Sequence, residues 1–275
     1  MFGHVQSHAT IPLHRRDVFF VAALAAMGGS YLVLIVAMIA AQLGYTDYPL
    51  LLEILGDERL VYAIQLSLVS CSVSTILSVL VAVPLAYLLC RVRFPGKGFV
   101  NAVLDIPIIL PPLVIGLALL MLFQTPAGRF VQQYVSVTYA IPGLVLAQFT
   151  VACAFSVRTM MTAFSEIDVR REQVALTLGC SRSEAFSWVV LPEARRGMVA
   201  AATIAWARAM GEFGPVLVFA GTTRMKTEVL PTAVFLELNV GNLRTATALS
   251  LYMIVFSVLV LLLMRLALRK SRSHD

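Results

Sequence analysis

Residues 171–192, REQVALTLGCSRSEAFSWVVLP, form a polar insert between two long apolar runs. The insert has the pattern of two short helices with a turn between them. Glu172, Gln173 and Ala175 open it in helical company, and the pattern breaks at Gly179. Glycine takes the left-handed conformation that ends a helix, and Ser181 or Ser183 can cap the next one. The second helix is predicted over residues 181–188, with Pro192 as its stop. So ordered a loop in so apolar a chain points to a surface on which another molecule docks.

The flanks set the class. The chain is 59% hydrophobic and 13% charged, with a mean hydropathy of +0.87. Soluble domains keep about a quarter of their residues charged, so this composition excludes a soluble globule. Apolar runs cover residues 18–46, 60–90, 106–128, 130–157 and 246–264, and a further run, 197–223, is interrupted by Arg208 and Glu212. Each is long enough to cross a hydrocarbon core of about 30 Å as a helix rising about 1.5 Å per residue. Short alternating segments are absent, which leaves helices as the way to satisfy the backbone in lipid. The expectation is an all-α polytopic membrane protein with six transmembrane helices. Residues 1–17 form a lead, 18–268 the membrane domain with its loop at 166–196, and 269–275 a tail.

Lys and Arg orient the chain. Arg15 and Arg16, the cluster from Arg91 to Lys97, the cluster from Arg170 to Arg196, and the tail from Arg265 to Arg272 fall on one side. Arg59, Arg129, Arg224, Lys226 and Arg244 fall on the other. The excess places both termini and the 171–192 loop in the cytoplasm. The net charge of +6 follows from that bias, so no nucleic-acid partner is implied. The first run is too long, and lacks the small-residue cleavage site, for a removable signal; after Arg15-Arg16 it reads as a topological anchor rather than a twin-arginine export signal. Cys71, Cys90 and Cys153 lie in or beside spans and Cys180 in the inner loop, so neither a disulfide framework nor a metal site is expected. His4, His8 and His14 are spaced too widely for a metal tract.

Two features interrupt the spans. Pro107, Pro111 and Pro112 fall within six residues, leave carbonyls without donors, and predict a broken or bent helix. Such a break is either a packing kink or the lining of a wet pathway. Arg208 and Glu212 stand four apart on one helix face, each costing about 2.5–3.5 kcal/mol at a bilayer centre. They are either an ion pair that fixes packing or part of a translocation path, in which a weakly attracting arginine suits an anion that must also leave. Gly211 and Gly214 flank them and allow close helix approach, with Phe213 between and a bend expected at Pro215. Arg158 is expected only to snorkel to the inner interface.

The 171–192 loop resembles the EAA loop of ABC importer permeases, whose pattern is E-A-A, three residues, Gly, nine residues, then I-x-L-P. Gly179, Val189, Leu191 and Pro192 fall in register and Ala175 is the second alanine. Val174 replaces the first alanine, Gln173 the glutamate, and Glu172 stands one residue earlier. Residues 107–116, PIILPPLVIG, resemble the same family. RAMGEFG, residues 208–214, resembles its molybdate, tungstate and sulfate permeases, and FLELNVGN, residues 235–242, leans towards molybdate or tungstate. The resemblance covers nearly all of residues 60–266.

It implies a type I ABC importer permease fold in a bacterial or archaeal cytoplasmic membrane. An ABC ATPase dimer would dock on Glu172, Gln173, Ala175, Gly179, Val189, Leu191 and Pro192, and would carry the ATP and Mg. An extracytoplasmic oxyanion-binding protein would deliver cargo to the outer loops 44–59, 125–138 and 222–243, and a homodimer would enclose the path lined by Arg208, Gly211, Glu212, Phe213 and Gly214. No catalytic residue, cofactor or metal is expected on this chain: Gly96-Lys97 lacks the earlier glycine and following Ser or Thr of a phosphate-binding loop. The alternatives are a sulfate or thiosulfate permease and, from another class, a carrier driven by an ion gradient. The latter needs midplane carboxylates and a repeat, but Glu212 is the one clearly intramembrane acid and no repeat is seen.

Overall fold

A computed structural model describes residues 15–46 and 48–270. The histidines of the lead, Asp47 and tail residues 271–275 lie outside the described residues. The chain divides into two units at Thr46. The first is a single helix, α1 (Arg15–Tyr45), whose 31 residues suffice to cross a bilayer. It begins two residues before the expected end of the lead.

The second unit opens with a short helix, α2 (Tyr48–Ile54). Asp57 caps α3 (Glu58–Arg91), accepting from the Arg59 amide at 2.9 Å, and α3 continues through Pro84. A turn at Gly96 leads into α4 (Lys97–Ile109), which meets α5 (Pro112–Gln124) at 115°. The expected break is therefore present, but Pro107 sits inside α4 and the chain turns at Leu110–Pro111. A proline in the first turn of α5 lacks only an amide that would be unpaired anyway, whereas Pro107 is absorbed by its surroundings.

The apolar run from 130 also needs correction. Its start belongs to α6 (Pro126–Tyr134), and the crossing helix is α7 (Ile141–Glu166), which Pro142 helps to open. The inner loop holds α8 (Val169–Thr177), α9 (Arg182–Ala185), a π-helical turn at Phe186–Val190 and α10 (Leu191–Glu193). Pro192 does not stop the second helix: it occupies the first turn of α10, where its missing amide is harmless, and α11 (Arg195–Met210) follows almost at once. A second π turn, Val216–Ala220, precedes α12 (Leu230–Val240) and α13 (Leu243–Lys270), which runs two residues past the expected domain end. Among the described residues there are four uninterrupted helices long and apolar enough to span, or five where the bent α4–α5 pair counts as one span. The sixth expected span is α11, sixteen residues long, followed by a break and the π turn.

The centre is built from α3, α7 and α11. Ser74 of α3 donates to Val145 of α7 at 3.1 Å, and farther in Arg91 donates to the Ile167 carbonyl at 2.8 Å, so α3 and α7 run parallel. Ser156 reaches the Ala201 carbonyl at 3.4 Å, while Gly197 meets Ala163, so α11 runs antiparallel to α7. The seams are made of small residues: Ala82, Ala86, Ala147, Ala152, Ala201 and Ala205 are fully buried. Small side chains let backbones approach where lipid gives no hydrophobic drive to associate. Gln148, also buried, shares a 3.2 Å hydrogen bond with Ser74.

Candidate functional site

At the end where α3 and α7 finish, Asp168 caps α8 by accepting from the Arg170 amide at 2.9 Å. Helix α8 closes as the sequence predicts: the Cys180 amide reaches the Ala175 carbonyl and the Gly179 amide the Leu176 carbonyl, both at 3.1 Å. Gly179 has φ +95°, a conformation other residues adopt only at a cost of about 1–2 kcal/mol. Ser181 then caps α9, with Glu184 returning the bond in a capping box. The Ser181 hydroxyl and the Ser181 amide both donate to the Glu184 carboxylate at 2.7 Å and hold it below the ordinary range.

Glu172 is not on the outward face of this platform. Its Oε1 accepts from the Tyr87 hydroxyl at 2.6 Å, and its Oε2 lies 3.5 Å from Arg91 Nε, with both charged side chains about nine-tenths buried. The Tyr87 ring packs on Phe164 of α7 and Phe186 of the π turn, with centroids 5.9 and 4.6 Å away. Glu172 therefore clasps the loop to the end of α3, and of the two polar candidates Glu172 and Gln173 it is Gln173 that lies exposed. Ala175 is buried beneath α8, and Val189 and Leu191 are half-buried. Gln173, Gly179 and Pro192 are exposed, joined by Val174, Leu178 and Trp188, which sequence reasoning had not singled out. Their signal was present: apolar side chains in an otherwise polar loop. Beside them Arg171 pairs with Glu193, tying α8 to α10.

Gly179→Leu is expected to lower binding of a docked partner at least tenfold while membrane insertion is unchanged, from left-handed strain and from the added bulk on an exposed face. Co-purification of a candidate partner with the variant, set against its membrane yield, checks this.

The second constellation lies where two breaks cross. Gly211 ends α11, and 211–215 leads into the second π turn. A Cβ on Gly214 would stand 2.9 Å from the Leu113 amide nitrogen, and one on Gly116 would stand 2.8 Å from Pro215 Cα. The start of α5 and the 211–215 segment are thus in backbone contact. Gly211 is different: an added Cβ would meet nothing closer than 3.7 Å, so close approach does not require glycine there. Phe213 packs on Phe235 of α12 at 4.8 Å.

Arg208 and Glu212 form an ion pair at 3.5 Å. Glu212 is buried while the Arg208 side chain is 36% exposed, its guanidinium 5.2 Å above the Phe155 ring. Among the described residues Glu212 Oε2 accepts and Arg208 Nε donates no hydrogen bond, so charge attraction is what joins these two groups. Arg158 does more than snorkel. It contacts Asp105 at 2.6 Å and donates to the Asn101 carbonyl at 3.0 Å, joining α7 to α4. Among the described residues no group of His, Cys, Asp and Glu is arranged to hold a metal.

Residues 78–273 match the family described as binding-protein-dependent transport system inner membrane component. The chain is 32% identical, over 95% of its length and all of the relative's, to the molybdate/tungstate transport system permease protein WtpB of Pyrococcus furiosus. It is 31% identical, over 84% of each chain, to the sulfate transport system permease protein CysT of Salmonella typhimurium. A chain of a bacterial alginate ABC transporter, solved with an alginate-bound periplasmic protein, superposes over 91% of this chain and 93% of that one, with TM-score 0.74 and 16% identity, a likeness of fold.

Proposed function

This chain belongs to the family of inner membrane components of binding-protein-dependent transport systems, and from that premise we propose that it conducts a tetrahedral oxyanion, molybdate or tungstate, into the cell. It is a multi-pass ABC importer permease subunit and not an enzyme. In the proposed complex an ATPase dimer carries ATP and Mg, two copies of this chain enclose the path, and an extracytoplasmic protein supplies the anion. Both termini lie in the cytoplasm by the distribution of Lys and Arg. Family membership removes the gradient-driven carrier. Sulfate stays as the second reading, because a sulfate permease is among the relatives.

The observation that carries the reading is the clasped platform. Gln173, Val174, Leu178 and Gly179 face outward for a partner, while Glu172 fastens the same helix to Tyr87 and Arg91 at the end of α3. Closure of an ATPase pair against that face moves α3 and α7 together. The partly exposed Arg208, backed by Glu212, offers the passing dianion a positive charge partly offset from behind, which suits transit rather than retention.

The test is uptake of labelled molybdate into proteoliposomes containing the chain, its ATPase and its binding protein, with ATP inside. ATP-dependent uptake that sulfate competes poorly supports the reading; preferred sulfate uptake overturns the substrate. Arg208→Ala is expected to lower uptake at least tenfold. Because that change strands Glu212, Arg208→Ala with Glu212→Gln separates the roles: recovery of uptake would show that the arginine serves packing, and continued loss that it serves the anion.

A further inference from the structure

A cavity of about 210 Å³ opens at the end opposite the loop, between α2, the start of α3, the segment 222–229, the end of α12 and the start of α13. It joins two of the three outer loops proposed to meet the binding protein. Four carboxylates and two arginines line it. Asp57 pairs with Arg59 at 3.2 Å and Glu237 with Arg224 at 3.5 Å, so those charges are balanced. Glu53 and Glu228 remain. Glu228 is 3% exposed, lines the cavity, and forms no ion pair within 4 Å among the described residues. Burying a carboxylate is costly, and Glu228 sits above the ordinary carboxylate range through burial, with Arg224 pulling it back.

We propose that this cavity is the receptor for one basic side chain, an arginine or lysine, of the extracytoplasmic binding protein. The proposal rests on the transport reading given above, which supplies the partner. Charge selects the occupant. Four carboxylates against two arginines give the cavity a net negative charge that repels a dianionic cargo, and the carboxylates are not grouped to ligate a metal. A guanidinium or ammonium head fits the volume, completes Glu228, and finds polar neighbours in Asn242 and Thr245 on the rim. The FLELNVGN stretch builds this wall: Glu237 accepts from Asn242 Nδ2 at 3.0 Å, and the Asn242 amide returns to the Glu237 carbonyl at 2.9 Å, closing α12.

The experiment measures docking of the fluorescently labelled binding protein to the whole transporter in nanodiscs, with L-argininamide as competitor and citrulline amide as its uncharged control. Glu228→Gln, nearly isosteric, should weaken docking at least tenfold and Glu53→Gln severalfold, with ATPase association unchanged in both. Argininamide should compete on the wild type and lose that effect on Glu228→Gln, and citrulline amide should not compete. Unchanged docking in both variants, while the wild type docks and transports, overturns the receptor and leaves the transport reading intact. Competition by Mg²⁺ or Ca²⁺ at matched ionic strength, with argininamide inert, overturns it in favour of a metal site. A wild type that neither docks the binding protein nor transports sinks the transport reading and the receptor with it.

Discussion

Replacing Glu172 by alanine should reduce ATP-driven uptake a hundredfold or more while the chain still inserts in the membrane. The substitution leaves the Arg91 guanidinium about nine-tenths buried with its carboxylate gone, and removes the acceptor of the Tyr87 hydroxyl. Breaking a buried pair from one side costs about 3–5 kcal/mol, far above the worth of a surface pair. The loss falls where α8 is fastened to α3, so the platform should detach before the bundle unfolds. Glu172→Gln keeps an acceptor for Tyr87 but not the charge, and should fall between. Tyr87→Phe removes one hydrogen bond to a charged group, about 1.5–3 kcal/mol. Uptake and ATPase turnover should be measured together. Turnover that persists without uptake supports the clasp as the mechanical link; full uptake by Glu172→Ala would refute it.

Gly214→Ala carries the second large effect. Its Cβ would stand 2.9 Å from the Leu113 amide nitrogen and 3.0 Å from the Pro112 carbonyl carbon, and backbone cannot rotate out of the way as a side chain would. Overpacking of this kind costs about 1–3 kcal/mol. Here it also forces apart the two broken segments beside Arg208, so uptake should drop by one to two orders of magnitude. Gly211→Ala, three residues earlier on the same motif, has ordinary contacts and should keep most of its activity. Equal uptake by the two variants would contradict the crossing of the breaks as the site where transport is sensitive.

Local chemistry explains what could be read from the chain without its fold. Gly179 as a helix end, Ser181 as a cap and the proline break near 110 each depend on a few neighbouring residues, and all three are present. Register with a family motif was a poorer guide to direction. The motif suggested that the acidic residue faces the partner, but Glu172 turns inward because its companions, Tyr87 and Arg91, lie more than eighty residues upstream on α3. The same limit hid the contact between Arg158 and Asp105, which joins helices that only packing brings together. Hydropathy alone likewise ran α6 into α7, since an amphipathic surface helix and a crossing helix differ in what covers them rather than in how apolar they begin. The outer cavity was scattered over five segments, and only the fold gathers Glu53, Glu228 and Glu237 around one space.

The meeting of Gly197 with Ala163 has a mechanical consequence. It is a close approach of α11 to α7, and it falls two residues into α11, just beyond the platform. A pair of helices touching through a glycine and a methyl group has little interlocking there, so a tilt of α11 driven from the platform would pivot at this contact. The output arm, from Gly197 to Met210, is about 20 Å at about 1.5 Å per residue. A tilt of about 10° at the fulcrum sweeps the far end through about 3.5 Å, a displacement comparable to those that switch packed helices between discrete states. With such a pivot the gearing would be unequal: a small stroke beside the platform would become a large one beside Arg208.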